Sequence, residues 1–211
     1  MIDNPVFKHK FFGWMEADAR RHVNPDGSLG AIVALTATIA SGLMIAASVE
    51  IGPRASIGDG ASIGYGASIG DGASIGPRAS IGYGASIGYG ASIGYGASIG
   101  PRASIGYGAS IGDGASIGYG ASIGYGDWFI TCGPQGSRHA SLTAVQTVDG
   151  LRWWVGCKHR ITTDDLRRLV IDTHIGTDHE ADYLHVIAFV VDHPARIRCE
   201  KSRDAAVGKT Q

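Results

Sequence analysis

The sequence predicts a mainly β fold: a parallel β-helix set between a short N-terminal helix and a small α+β C-terminal domain. Three observations carry this. The phrase Ile-Gly-x-x-Ala-Ser recurs with almost no variation from Ile51 to Gly126, and its phase runs back through Ile45 and Ile39 to Val33. A period of six matches neither a helix (about 3.6) nor an open strand (about 2). It matches a chain that turns a corner after each short strand, three corners closing a triangular coil that stacks on the next. After Gly126 the composition changes abruptly, and aromatic, charged and β-branched residues return. The expected divisions are therefore 1–28 (helix and cap), 29–126 (β-helix), 127–195 (α+β domain) and 196–211 (polar tail).

The repeated phrase explains its own geometry. Ala and Ile stand two apart, so both point inward from an extended segment and the Ser between them points out. Gly follows, and then Asp-Gly, Tyr-Gly or Pro-Arg makes the corner. Gly as second corner residue suits a backbone with positive φ. The Pro53-Arg54, Pro77-Arg78 and Pro101-Arg102 corners put an arginine there, at roughly 1 kcal/mol each. Each buried Ile contributes about 2–3 kcal/mol, so the isoleucine stack outweighs three strained corners.

Residues 33–126 resemble the left-handed β-helix of hexapeptide-repeat proteins: an aliphatic residue, Gly, two corner residues, a small residue and one free position. The handedness comes from this resemblance. The family holds acyltransferases and γ-class carbonic anhydrases, and also structural and polymer-forming proteins, so the resemblance implies the fold and leaves the activity open. Such β-helices usually form homotrimers.

Two N-terminal features complete the scaffold. Asn4-Pro5 followed by Phe7, Phe11, Trp14, Met15 and Ala19, at steps of three or four, predicts a helix over the first twenty residues. Its apolar face is expected to cover the open end of the β-helix or to anchor an assembly. Leu29 to Val49 carries no charge and matches the roughly 20 residues of a membrane span. Because Val33, Ile39 and Ile45 keep the hexad phase, first coils of the β-helix are expected instead.

In the tail, Asp127–Gly133, Ser141–Val148 and Leu151–Cys157 read as a three-stranded meander with a hairpin turn at Asp149-Gly150. Thr162-Thr163-Asp164-Asp165 opens a helix with Leu166, Leu169 and Val170 on one face. A second begins near Asp178 and carries Leu184, Ile187, Ala188 and Val191. The run Gly133–Arg138, with Gly156-Cys157, Asp165-Leu166 and Asp172-Thr173-His174, resembles a small module that follows hexapeptide repeats in phage and prophage reading frames of unassigned function. This implies a phage-related origin and transfers no catalytic residue.

Function is read largely by exclusion. Net charge is −1, which leaves no electrostatic footprint for nucleic acid or an anionic membrane. Cys132, Cys157 and Cys199 are too few and odd in number for a disulfide scaffold. No signal peptide is evident, so a virion or a host cytoplasm is the expected location. Acyltransferases of the resembled family use a histidine that projects from the coils as general base, and no histidine lies between His22 and His139. The three zinc-binding histidines of the γ-class anhydrases are also missing. His174, His179 and His185, or Cys157 with His159, fit no established zinc spacing.

The expectation is thus a non-catalytic structural or interaction protein, with no catalytic residue, metal or cofactor: a rigid shaft displaying the C-terminal module, phage-encoded as virion decoration, fibre or spike. Its expected partners are copies of itself in a homotrimer, and a protein met through the N-terminal helix or the C-terminal module. Two alternatives stand beside it. One is an acyltransferase-like enzyme that draws a histidine from the tail or a partner chain. The other is a glycan-binding module that uses corner tyrosines stacked every three hexads, Tyr65 with Tyr83, and Tyr89 with Tyr107 and Tyr125. Ser137 and Arg138, in a glycine-containing loop, are candidates to hold an anion.

Overall fold

The computed structural model describes residues 4–124, 127–135, 140–147, 149–155 and 158–193. The chain forms two compact units, residues 1–115 and 116–211.

The first unit is a parallel β-solenoid entered through a curled antiparallel sheet. Strands β1 (Phe7–Phe11), β2 (Met15–Val23) and β3 (Leu29–Ala34) lead to two-residue strands β4 (Thr38–Ile39) and β5 (Glu50–Ile51). Strands β6 to β15 then follow, one per hexad, from Ser56–Ile57 to Ser110–Ile111. Each pairs in parallel with the strand three hexads on, Ser68 with Ser86 and Ile69 with Ile87. This builds three sheets in the orders β1-β2-β3-β5-β8-β11-β14, β4-β6-β9-β12-β15 and β7-β10-β13. Ile and Ala of nearly every hexad are buried, with Ile39, Ala37, Ala109 and Ala115 partly so, and the serines face out, as the two-residue spacing predicts. Leu43 and Val49 fill the inward places that Ala takes later.

Corners are tied from coil to coil. The Gly72 N–H donates to the Pro53 carbonyl and the Arg78 N–H to the Asp59 carbonyl, both at 2.8 Å. Arg54, Arg78 and Arg102 sit at φ of 56, 57 and 58°, the left-handed conformation foreseen for the Pro-Arg corners. The two glycines of a hexad do different work. A Cβ on Gly64 would lie 2.6 Å from backbone atoms of the next coil, whereas Gly66, at φ +70°, has open space around it. The first permits close stacking and the second permits the turn.

The uncharged stretch from Leu29 to Val49 runs as strand and coil. Among the described residues no helix is long and apolar enough to cross a membrane. Ile45 is buried but belongs to no strand, because a side chain takes over its backbone pairing. Its N–H donates to Asn24 Oδ1 at 2.9 Å, and Asn24 Nδ2 donates to the Ser28 hydroxyl at 3.0 Å.

The expected N-terminal helix is a β-hairpin. Phe7 pairs with Ala19 and Phe11 with Met15, and the turn is made by Phe12 (φ 54°) and Gly13 (φ 77°). The period-two pattern wins here: Phe7, His9 and Phe11 alternate with Lys8 and Lys10, and Met15, Ala17 and Ala19 with Glu16 and Asp18. One face of the hairpin forms a small core in which Phe11, Ala19 and Ala34 are buried, with Phe7, Phe12, Met15 and Ile32 packed around them. The hairpin therefore extends a solenoid sheet rather than covering its end.

The second unit begins with hexad strands β16 (Ser116–Ile117) and β17 (Ser122–Ile123). A sheet in the order β18 (Trp128–Gln135), β19 (Ala140–Thr147), β20 (Gly150–Val155) and β21 (Lys158–Ile161) follows. Helices α1 (Thr163–His174) and α2 (Asp178–Val191) complete it. The expected meander thus has a fourth strand. It is short, charged and joined through a register shift, with Arg160 at φ 53°, so no alternation announces it. Trp153 and Trp154 point to opposite faces of the sheet. Trp153 lies in a core with Leu142, Leu166, Val170, Tyr183 and Ile187. Trp154 Nε1 donates to the Gly120 carbonyl of the unit's own hexads at 2.9 Å. Thr162 opens α1 with a reciprocal capping box to Asp165.

Candidate functional site

The solenoid's outer faces carry serine at nearly every strand, and the departure from that rule marks the site. In the sheet that receives the hairpin, the outward positions run in register from Ile32 to Glu50, then Ser68, then Ser86. Neighbouring strands stand about 4.8 Å apart. A carboxylate thus replaces serine in the coil next to the hairpin.

The hairpin brings a histidine to that carboxylate. His9 Nε2 lies 3.3 Å from Glu50 Oε1, and the Phe12 N–H donates to Glu50 Oε2 at 3.3 Å. The ring of Phe11 meets the His9 imidazole edge-on at 4.7 Å. The side chains of His9 and Glu50 are 22% and 34% exposed, so the pair is partly desolvated and still reachable. The bond to Glu50 places the imidazole proton on Nε2 and leaves Nδ1 as the basic nitrogen.

One strand on from Glu50, at Ser68, lies a hollow of about 200 Å³ that neither His9 nor Glu50 lines. Phe12, Trp14 and Met15 of the hairpin turn line it, together with Ser68 and Ser86 of the sheet and Asp71 and Tyr89 of the corner. Gly52 lets the Phe12 ring approach, since a Cβ there would stand 3.0 Å from it. Asp71 is buried, and Arg54 grips both of its oxygens, Nε to Oδ1 at 2.9 Å and the terminal nitrogen to Oδ2. Arg54 sits one coil earlier on the same edge, at a strained Pro-Arg corner, so the repeat irregularity supplies the counter-charge. An imidazole held by a carboxylate can take a proton from a hydroxyl or amine brought within hydrogen-bond reach of it.

The sequence-predicted residues are distributed differently. Tyr65 and Tyr83 stack at 6.0 Å and Tyr89 and Tyr107 at 5.2 Å, each pair 6° from parallel. The corner columns therefore form, and of these tyrosines Tyr89 lines the hollow. Tyr125, Ser137 and Arg138 lie outside the described residues. His174 stacks on Tyr183 at 5.5 Å and meets His179 at 5.8 Å; among the described residues no group of side chains is arranged to hold a metal. His22 is taken up by the Leu43 carbonyl at 2.9 Å.

Sequence reasoning missed His9, Glu50, Trp14 and Asp71. Two signals were present. Glu50 occupies a serine slot of the hexad phase, in Val49-Glu50-Ile51, and the alternation Phe7-Lys8-His9-Lys10-Phe11 marks a strand with His9 on its apolar side.

No protein-family model and no curated protein matches the chain. Similar solved structures include perosamine N-acetyltransferase from Caulobacter crescentus, 27% identical over 43% of this chain and 46% of that one, with a TM-score of 0.24. They also include a hexapeptide transferase family protein from Anaplasma phagocytophilum, 25% identical over 49% of this chain and 74% of that one, with a TM-score of 0.26. The chain thus spans about half the length of the Caulobacter enzyme. The solved structures it is similar to are described as an N-acetyltransferase and a hexapeptide transferase family protein, which stands against the expectation of a non-catalytic, phage-encoded shaft and against the expectation that the chain is not an enzyme.

Proposed function

We propose that this chain is a hexapeptide-repeat enzyme of the acyltransferase type, with His9 as general base and Glu50 as the residue that orients it. The observation that carries this reading is the His9–Glu50 pair, set on the outer face of the solenoid one strand from the hollow at Ser68 and Ser86. An acceptor hydroxyl or amine in the hollow gives its proton to His9 Nδ1 as its oxygen or nitrogen bonds to the carbonyl carbon of a thioester donor. The C–S bond then breaks, and the leaving thiolate takes the proton from the imidazolium. Glu50, accepting from Nε2, holds the ring in place through both steps. The flat Ser/Gly faces of the repeats support a homotrimer as the working assembly, which sedimentation equilibrium tests.

Acetyl-coenzyme A with a panel of amines and sugars, followed by thiol release, tests the activity. His9→Ala is expected to lower kcat by about 10²–10⁴-fold with KM changed little, the range for a general base. Glu50→Gln should lower it less. Absence of acetyl-coenzyme A binding by calorimetry, or full turnover by His9→Ala, overturns the proposal.

A further inference from the structure

We infer that the hollow at Trp14, Asp71 and Tyr89 binds the ring of a neutral pyranose sugar. The inference uses the proposed site but not its chemistry, because sugar binding is read without any acyl donor. Size comes first: at about 200 Å³ the hollow falls below the roughly 300–1,000 Å³ of pockets for drug-sized ligands and suits one six-membered ring.

The lining then selects the chemistry. Trp14 is 67% and Tyr89 43% exposed, unusual for large aromatics that line a concave surface. Tyr89 is stacked on Tyr107 at 5.2 Å, which holds its ring in place where it borders the hollow. Aromatic faces with Met15 and Phe12 match the C–H face of a pyranose. Ser68 and Ser86 offer hydroxyls on adjacent strands in register, about one strand spacing apart, a separation that neighbouring ring hydroxyls can bridge. Asp71 adds a carboxylate that retains acceptor lone pairs after binding Arg54, and carboxylates are strong acceptors for hydroxyl donors.

Charge excludes the main competitors. Of the residues that line the hollow, none is a lysine or arginine, and the nearby Arg54 already gives Nε and a terminal nitrogen to Asp71. A phosphate or carboxylate ligand would meet the Asp71 carboxylate, to which Arg54 is already bonded, and a cationic ligand would meet a carboxylate already paired. A neutral polyhydroxylated ring meets neither conflict. Gly70 and Gly88 leave the floor without protruding side chains.

The test is binding by saturation-transfer NMR and calorimetry, with the full chain and no acyl donor. The probes are methyl hexopyranosides and their N-acetyl derivatives, set against glucose 6-phosphate and adenosine monophosphate. A neutral pyranoside is expected to bind and the two phosphates not. Trp14→Ala and Tyr89→Ala should each weaken binding at least tenfold while the circular dichroism spectrum is kept, as both side chains are largely exposed. Tyr65→Ala, on another edge, should bind as the parent does. Binding with no acetyl transfer leaves this inference standing and sinks the acyltransferase reading. Acetyl transfer to amines without pyranoside binding, tighter binding of the phosphates, or parent-like binding by Trp14→Ala and Tyr89→Ala overturns the inference.

Discussion

The hexads and the N-terminal hairpin of the first unit are written in opposite styles. From Ile51 onward the chain repeats itself, and the outward face of nearly every strand is a serine. From Phe7 to Val23 the chain alternates apolar and charged residues but repeats no phrase, and this stretch supplies the imidazole, the indole and the thioether of the site. The repeats give a rigid ladder whose positions are known to within a strand spacing, but identical units carry identical chemistry and therefore no selectivity. Chemistry enters where the period breaks: at Glu50 in a serine slot, at the Arg54 corner, and in the hairpin laid on the ladder.

If the two regions are separate cooperative units, they should unfold separately. Phe11 is wholly buried in the small hairpin core, and Phe11→Ala is expected to cost about 3–5 kcal/mol. Hydrogen exchange should show the amides of Phe7–Val23 losing protection while those of Ile69–Ile105 keep theirs. Loss of protection throughout both would break the comparison and tie the hairpin to the solenoid as one unit.

A cut into the repeats should behave in the reverse way. Ile93 is buried between Ile75 and Ile111, its register partners, and Ile93→Ala is expected to cost about 2–5 kcal/mol. The denaturation midpoint should fall with the slope unchanged. A coil that melts alone, seen as a second transition in urea, would mean that stacking energy does not spread between coils.

The same contrast explains what could be read from the sequence. A period of six is a geometric statement, so the inward Ile and Ala, the outward Ser, the positive-φ arginines and the stacked tyrosines followed from it. The capping box at Thr162 and the hairpin at Asp149 were legible separately, as local chemistry, though Gly150 opens β20 and pairs with Thr147 rather than lying in the turn. The hairpin failed because Phe7, Phe11, Trp14, Met15 and Ala19 fit a helical face as well as a strand pair, and the decisive evidence is the polar set between them. The site failed for a different reason. His9 and Glu50 are 41 residues apart, and only the antiparallel return of β1 onto β2 beside β3 brings them together. A search for histidine inside the coils could not find a base that arrives from outside them. The hollow was missed likewise, since its wall is the hairpin turn and not a loop extruded from a coil.

The arginine corners give the finest test, because here one substitution should change sign with position. Arg78 and Arg54 share the same strained backbone, φ 57 and 56°. Replacing a residue in that region by glycine relieves about 1–2 kcal/mol and returns about 0.4–1 kcal/mol to the unfolded chain. Arg78 reaches the Tyr95 hydroxyl at 2.7 Å on an exposed edge, a contact of small worth. Arg78→Gly should therefore raise the melting temperature slightly, by the equivalent of about 0.5 kcal/mol. Arg54→Gly relieves the same strain but strips the buried Asp71 of its counter-charge, and an unpaired buried carboxylate is costly. That variant should melt lower than the parent, and Arg54→Gly with Asp71→Asn should recover the loss. Equal shifts for the two arginines would mean that Asp71 does not need its partner, and the neutral character assigned to the hollow would go with it.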